Sequence, residues 1–502
     1  MDDTITSKPN YSIRRYYEKN SAWWQQEKER TSLNLFKRAS EQVPAYKDFL
    51  SRYNIDPKKI ATASDLQYVP PITKDNYLRR YPLESLCWQG TLDTQLLYCA
   101  TSGSTGRPFY FPRNQILDWQ NSYVLENFLN QSQCEGPILA VICFGMGVWI
   151  GGVLNYSAFQ ILQGRDSRSI SVIAPGINKP EILQVLLTLA PKYREVVLLG
   201  YPPFIKDLFD TCNQSGIKLD QLNFKLIFAA ECISENFRDH ICEMAGIGNP
   251  LRDMINIYGS ADIGGMAIEN AAGIALRRLT RSNGKLQSEF FPTAKNATVA
   301  QYNPHFISFD CHDNSLLISG DSALPLIRYS LGDRGGLFSY DKAVDVCDDY
   351  QLSLIEFAFD EGVQQLEQLP FVYVYEREDF SVKFYGAIIF PDHIRAVIQD
   401  KNHVDHLTGR FCIEVGETEQ RDQQLIVNIE LKSKVAATVY LESTLVGEIK
   451  GALIKNSSEF ANNAGVLGDK VTPLVRFWPY GHEKYFKLGI KQKWVKKTAP
   501  IA

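Results

Sequence analysis

From residue 96 onward the chain alternates short, charge-poor apolar runs with amphipathic stretches of helical period. That alternation restricts the fold more than any other feature. The apolar runs fall at 138–144, 170–173, 195–199, 225–229 and 254–257, with helical patterns between them, as at 180–189 and 235–244. Strands without polar alternation, joined through helices, predict a mostly parallel sheet buried on both faces. Ligands of such sheets gather at the carboxyl ends of the strands. Before this region the chain reads as helices, with aromatic and basic residues at helical spacing from Tyr11 to Phe36 and a break at Pro70-Pro71. After about residue 300 the pattern turns strand-rich, at 306–309, 315–318 and 352–359. A smaller α+β unit then begins, with strands at 411–415 and 424–431 and a helix over 433–453. The expected division is a large unit over 1–375 and a small one over 376–502, meeting near Glu376.

Composition narrows the function classes. A chain of 502 residues is long enough for two or three packed units. Its 53 basic and 57 acidic side chains nearly cancel, to a net −4, which argues against a nucleic-acid binder. The one basic cluster runs from Lys484 to Lys497, and a solvated tail is its plain reading. The ten cysteines include no Cys-x-x-Cys pair, and Cys311-His312 and His403-x-x-His406 stand alone. We therefore expect neither a disulfide scaffold nor a zinc site, but free thiols in a reducing, cytoplasmic setting. The sequons at Asn296 and Asn456 would then carry no glycan. The amino terminus lacks a signal-peptide core. Residues 137–154 are charge-free, but Gly145, Gly147, Gly151 and Gly152 interrupt them, so we read a buried strand and a glycine-rich turn, not a membrane span.

The strongest chemical signal is the string Thr101-Ser102-Gly103-Ser104-Thr105-Gly106-Arg107-Pro108, set between apolar strands at 96–100 and 109–111. Its backbone N–H groups and hydroxyls suit a polyphosphate, and its guanidinium can bind one bidentately. The spacing is not that of a Walker loop. Further on come Ala229-Ala230-Glu231-Cys232, Tyr258-Gly259-Ser260-Ala261-Asp262, and Arg328-Tyr329-Ser330-Leu331-Gly332-Asp333. Arg377-Glu378-Asp379 and Gly489-Ile490-Lys491-Gln492-Lys493 close the series.

In this order the strings resemble those of the adenylate-forming superfamily, and within it the phenylacetate–CoA ligase-like group. Val43-Pro44-Ala45-Tyr46 and Pro70-Pro71-Ile72-Thr73-Lys74-Asp75 extend the likeness to the amino-terminal region. It is loosest over 267–302 and beyond Asn402. It implies a large adenylate-forming domain, with mostly parallel sheets flanked by helices and a strand-rich part, followed by a small, mobile α+β domain. It also implies the roles. The 101–107 loop (Thr101, Ser102, Gly103, Ser104, Thr105, Gly106, Arg107) holds ATP phosphates. Ala230, Glu231 and Cys232 border the adenine, on which Tyr258 stacks. Gly259 belongs to the same nucleotide-binding string, and Ser260 would replace from the neighbouring position the hydroxyl that in the family meets the α-phosphate. Asp262 holds Mg²⁺, Asp333 accepts hydrogen bonds from the ribose hydroxyls, Arg377 contacts the nucleotide, Asp379 is the hinge, and Lys491, with Lys493 as alternate, is the late catalytic lysine.

Several positions depart from the family pattern. Arg107 replaces a lysine, and the two cations are not interchangeable. Asp262 replaces glutamate, Ala261 replaces a hydroxyl residue, and Phe380 replaces the second hinge acid. The implied reaction activates a carboxylic acid with ATP, releases pyrophosphate and passes the acyl group to a thiol, of CoA or of a carrier protein's phosphopantetheine. Phe144, Gly145, Trp149, Tyr201 and Gly264 form the expected acid pocket, whose aromatic character suits an aryl or arylacetic acid. An acyl carrier protein or an amine as acceptor, and a nucleotide-binding homologue without turnover, are the alternatives. The resemblance implies a homodimer, and no nucleic-acid or membrane partner is expected.

Overall fold

The computed structural model describes residues 18–100, 109–292, 297–375, 381–385, 387–417, 423–488 and 492–496. Thr101 to Pro108, Asn296, Arg377, Asp379, Phe380 and Lys491 lie outside the described residues.

The chain opens with the helices Ser21–Gln42 and Pro44–Arg52. Asn20 caps the first, and Pro44 starts the second without losing a bond, because a first-turn N–H has no helical partner. A hairpin, β1 (Leu97–Ala100) with β2 (Tyr110–Arg113), flanks the 101–108 segment.

The main sheet takes its parallel half from β3 (Ile138–Cys143), β4 (Ile170–Ile173), β5 (Glu195–Gly200), β6 (Phe224–Ala229) and β7 (Met254–Ser260). Every residue of β3 and β5 is buried, as a strand covered on both faces requires. The antiparallel half comprises β8 (Gly264–Glu269), β9 (Thr298–Gln301), β10 (Ile307–His312), β11 (Ser315–Gly320), β12 (Leu326–Phe338) and β13 (Phe371–Tyr375). Among the described residues these make one sheet of eleven strands, ordered β10-β11-β12-β13-β9-β8-β7-β6-β5-β3-β4.

The sequence reading of a strand over 352–359 is corrected here: Leu354–Asp360 is an α-helix. Ser353 caps it by accepting from the Glu356 N–H, and Ser with Glu three residues on is a helix-start signal that outweighs the apolar run. The helix expected over 433–453 begins later, as Val439–Asn456, where Thr438 provides the cap.

The small unit pairs β14 (Val382–Phe384) with β15 (Ala387–Ile389). Its four-stranded sheet contains β16 (Leu407–Glu417), β17 (Gln423–Leu431), β18 (Leu474–Trp478) and β19 (Val495–Lys496). Its apolar cluster draws only on residues 382–495, whereas the other clusters stop at residue 375. Polar bonds join the two units. The buried Lys206 ammonium donates to the Leu407 carbonyl at 3.1 Å, and Lys432 pairs with Asp210 at 2.9 Å. The Tyr480 hydroxyl donates to Asp207 at 2.6 Å, beside Lys179. Within 492–496 Trp494 is buried and its carbonyl accepts from the Ile413 N–H, while the lysines Lys484, Lys487 and Lys493 are exposed.

Candidate active site

Strands β3, β5, β6 and β7 run parallel in close register, with Cys143 beside Gly200, Gly200 beside Phe228 and Ala229 beside Ile257. Their carboxyl ends therefore open onto one line, and four of the singled-out strings sit there: Phe144-Gly145, Tyr201, Ala230 to Cys232 and Tyr258 to Asp262.

The tight geometry of the β7–β8 connection explains Gly259. A Cβ there would stand 2.7 Å from the Gly264 carbonyl oxygen, so only glycine lets the two strands close. The turn delivers Asp262 into the interior, 7% exposed. Its Oδ2 accepts from the Tyr329 hydroxyl at 2.6 Å and pairs with the Lys74 ammonium at 3.2 Å. Both partners arrive through one device. Arg328, at φ 52°, puts a left-handed kink in β12, and the displaced strand bridges to Ile72 through Ile72 N–H to Arg328 O and Ser330 N–H to Ile72 O. Thr73 and Asn76 then cap the helical turn Lys74–Leu78 reciprocally, which sets Lys74 above Asp262. Asp333, on the same strand, accepts from the Tyr258 hydroxyl.

The turn Ala230 to Cys232 is held from three sides. The Asn256 amide donates to Glu231 O, the Thr298 hydroxyl to Cys232 Sγ, and Arg277 to Ile233 O. Ala230 sits at φ 73°, a region that costs a residue with a Cβ about 1–2 kcal/mol. That strain at a strand end fits a site whose backbone shape matters.

The expected pocket residues divide. Phe144 is fully buried in the core and meets Tyr201 edge-on at 4.9 Å. Burial and the Glu231 charge push the Tyr201 phenol up. A Gly145 Cβ would touch Trp149 at 3.0 Å, yet Trp149 is itself 41% exposed. Gly264 lines a separate cavity of about 50 Å³ that also touches Leu117, Asn121, Leu154, Ile257 and Gly265. Lys493, the alternate lysine, is exposed at the edge of the small unit.

Whether Asp262 suits a magnesium ion follows from its partners. The Tyr329 hydrogen bond and the Lys74 ion pair both fall on Oδ2, and Oδ1 has no such contact among the described residues. The buried Ser260 hydroxyl, two residues away, is likewise unpartnered among them. Among the described residues no group of three or more His, Cys, Asp or Glu is placed to hold a metal ion. One free carboxylate oxygen beside an open hydroxyl fits Mg²⁺, which commonly takes one or two carboxylates and fills its shell with phosphate oxygens and water.

Sequence reasoning left Lys74 and Tyr329 without a role. Lys74 had a signal, the Thr-x-x-Asn cap that fixes its turn, whereas its approach to Asp262 depends on a bridge that no local pattern reveals.

No protein family's profile matches the chain. A phenylacetate-coenzyme A ligase of Thermus thermophilus is 21% identical over 233 residues, 46% of this chain and 48% of the relative. The match thus spans about half the length of that relative. A 2-hydroxyisobutyryl-CoA ligase in the postadenylation state, in complex with R3-HIB-AMP, superposes with TM-score 0.65 at 13% identity. That match covers 98% of this chain and 94% of the other. The fold is that of the adenylate-forming ligases. The same ligase in its thioesterification state superposes less well, with TM-score 0.52. An acyl acid amido synthetase, AtGH3.15, in complex with 2,4-DB, gives 0.58 at 11% identity over 95% of this chain and 91% of that one. Among the described residues of this adenylate-forming fold, no helix is long and apolar enough to cross a membrane.

Proposed function

We propose that the chain uses ATP to activate a carboxylic acid as its acyl-adenylate, and then transfers the acyl group to a thiol, with CoA the favoured acceptor. The observation that carries this reading is the convergence of Lys74, Tyr258, Asp262, Tyr329 and Asp333 at the carboxyl ends of parallel strands. A carboxylate oxygen of the acid attacks the α-phosphorus of ATP in line. The bond from that phosphorus to the bridging oxygen breaks, and pyrophosphate leaves. Negative charge builds on the phosphate oxygens, and Lys74 with Arg107 and Lys491 neutralises it. Mg²⁺ held by Asp262 would supply further neutralisation there. Tyr258 and Asp333 orient the nucleoside, and Ser260 offers a hydroxyl to the α-phosphate. In the second half a thiolate attacks the acyl carbon and AMP departs, after the unit beyond residue 375 pivots about Asp379.

The aromatic side chains Trp149 and Tyr201, which follow the carboxyl ends of β3 and β5, support an aryl or arylacetic acid. The likeness to an amido synthetase supports an amine as the second acceptor to test. The test is acid-dependent pyrophosphate release with Mg-ATP over aryl, arylacetic and fatty acids, with and without CoA. We expect one acid class to trigger release and CoA to yield its thioester. Release without thioester would move the reading to a carrier protein or an amine. ATP binding with no release by any acid would refute it.

A further inference from the structure

We propose that Arg410 is a positioning residue for the adenylation step, its guanidinium clamping the chain on both sides of Lys491. The inference rests on the reading of Lys491 as the late catalytic lysine and adds what holds that lysine in register.

Arg410 lies on β16 and is 8% exposed, so its donors must find partners inside the small unit. They find them on two separate stretches of chain. Nη1 donates to the Phe486 carbonyl at 3.0 Å, and Nη2 to the Lys487 carbonyl at 3.2 Å. Nε donates to Oε1 of Gln492 at 3.0 Å. Phe486 and Lys487 precede Lys491, and Gln492 follows it directly, so one planar fork is bonded to both flanks. Gln492 is itself buried, and its amide donates to Phe411 O at 3.0 Å and to Lys493 O at 2.9 Å. Successive Cα atoms stand about 3.8 Å apart, so fixing Gln492 ties the backbone of Lys491 to within that distance of a fixed point.

Glu430 completes the clamp. Its carboxylate is 0% exposed and accepts from Arg410 Nη1 at 3.3 Å, from the Thr408 hydroxyl at 2.8 Å and from the Gly481 N–H at 2.8 Å. Tyr480, next to Gly481, donates to Asp207 of the large unit, so the loop that leads into the clamp also meets the large unit. Balancing the Glu430 charge takes only a cation, whereas holding two flanks takes a fork. Lysine supplies the first and not the second, because its ammonium is a compact charge on a flexible stem.

The full-length chain is compared with Arg410→Lys, Lys491→Ala and the two combined. The readouts are pyrophosphate release with Mg-ATP and benzoate, phenylacetate or hexanoate, and ATP binding in the absence of acid. We expect Arg410→Lys to lower kcat for release by about tenfold or more, with the ATP Kd within about twofold of the parent, because a displacement of about 1 Å in a catalytic group can cost 10²-fold. The combined variant should be no slower than Lys491→Ala alone, since Arg410 acts through that lysine. Gln492→Met releases one flank and keeps the Arg410–Glu430 pair and both carbonyl contacts. It should slow release by about threefold or more and add nothing in the Lys491→Ala background, and it decides the matter alone should Arg410→Lys lose its folded circular dichroism. Release at the parent's rate in folded Arg410→Lys or in Gln492→Met overturns the clamp alone, as does a combined variant whose losses multiply. Lys491→Ala at the parent's rate overturns the lysine assignment and this inference with it. ATP binding with no release by any acid overturns the activation reading beneath both.

Discussion

Glu269→Gln removes one negative charge from a cluster that solvent does not reach. Glu269 ends β8 and is 0% exposed, with Arg238 on one side and Arg277 on the other, at 2.5 Å. Glu235 sits across from it, paired with the same two arginines. Burial pushes the Glu235 carboxyl up, but Arg238, Arg277 and Arg278 outweigh it and hold it well below the usual range. The inner four groups carry two positive and two negative charges, so the buried set is neutral. Glutamine keeps the shape and leaves a net positive charge inside. Breaking a buried pair from one side costs about 3–5 kcal/mol, mostly as the uncompensated charge left behind. Urea unfolding of the large unit should show that loss. Arg277→Met in the same chain restores neutrality, so the double variant should be at least about 2 kcal/mol more stable than the sum of the two single losses. Arg277 also holds Ile233 O, beside the Ala230–Cys232 turn, so the double variant should regain stability without regaining full ATP affinity. A single-variant loss below about 1 kcal/mol, or strict additivity, would refute the account.

Other consequences are equally direct. Burial pushes the Glu27 carboxyl up, but hydrogen bonds from His305 and Arg30 prevail and hold it down to about 2. Its contribution, about 3 kcal/mol, is complete above pH 4.5 and is lost as the pH falls toward 2. Glu27→Gln should therefore be less stable than the parent at pH 6 and nearly equal to it at the acid end, by urea titration. Glu367 shifts the other way: burial, opposed by the Asn127 bond, pushes it up to about 7. Stability is lost as the pH rises from 4.5 through 7, so Glu367→Gln should gain about 2 kcal/mol relative to the parent at pH 8 and little at pH 4.5, read as Tm. A cycle of Lys432→Met and Asp210→Asn should give a coupling of about 1–2 kcal/mol across the two units, and zero coupling would mean that this pose is not the populated one in solution. Asp262→Asn should lower acid-dependent pyrophosphate release by about 10²-fold or more, with ATP still bound.

Local rules carried the reading wherever a residue's role depends on its near neighbours in sequence. Strands β3 to β7 were legible because burial on both faces writes an unbroken apolar run, and the parallel sheet then fixed where the motifs gather. Leu354–Asp360 was misread because a short apolar run carries no period of its own, and only the Ser353 cap decides it. The site divides in the same way. Asp262 and Asp333 belong to recognisable strings, but their partners come from the long-range bridge between Ile72 and β12, which rests on one non-glycine residue at positive φ. Lys74 is the case that shows the limit. Its turn is written in Thr73 and Asn76, while its chemistry is written in Arg328, whose buried guanidinium and left-handed backbone carry no pattern that points back to residue 74. A kink that delivers two groups to one carboxylate makes a specific demand. Arg328→Gly permits the same φ and should keep Lys74 in place, whereas Arg328→Val resists it and should weaken ATP binding with Lys74 and Asp262 both intact.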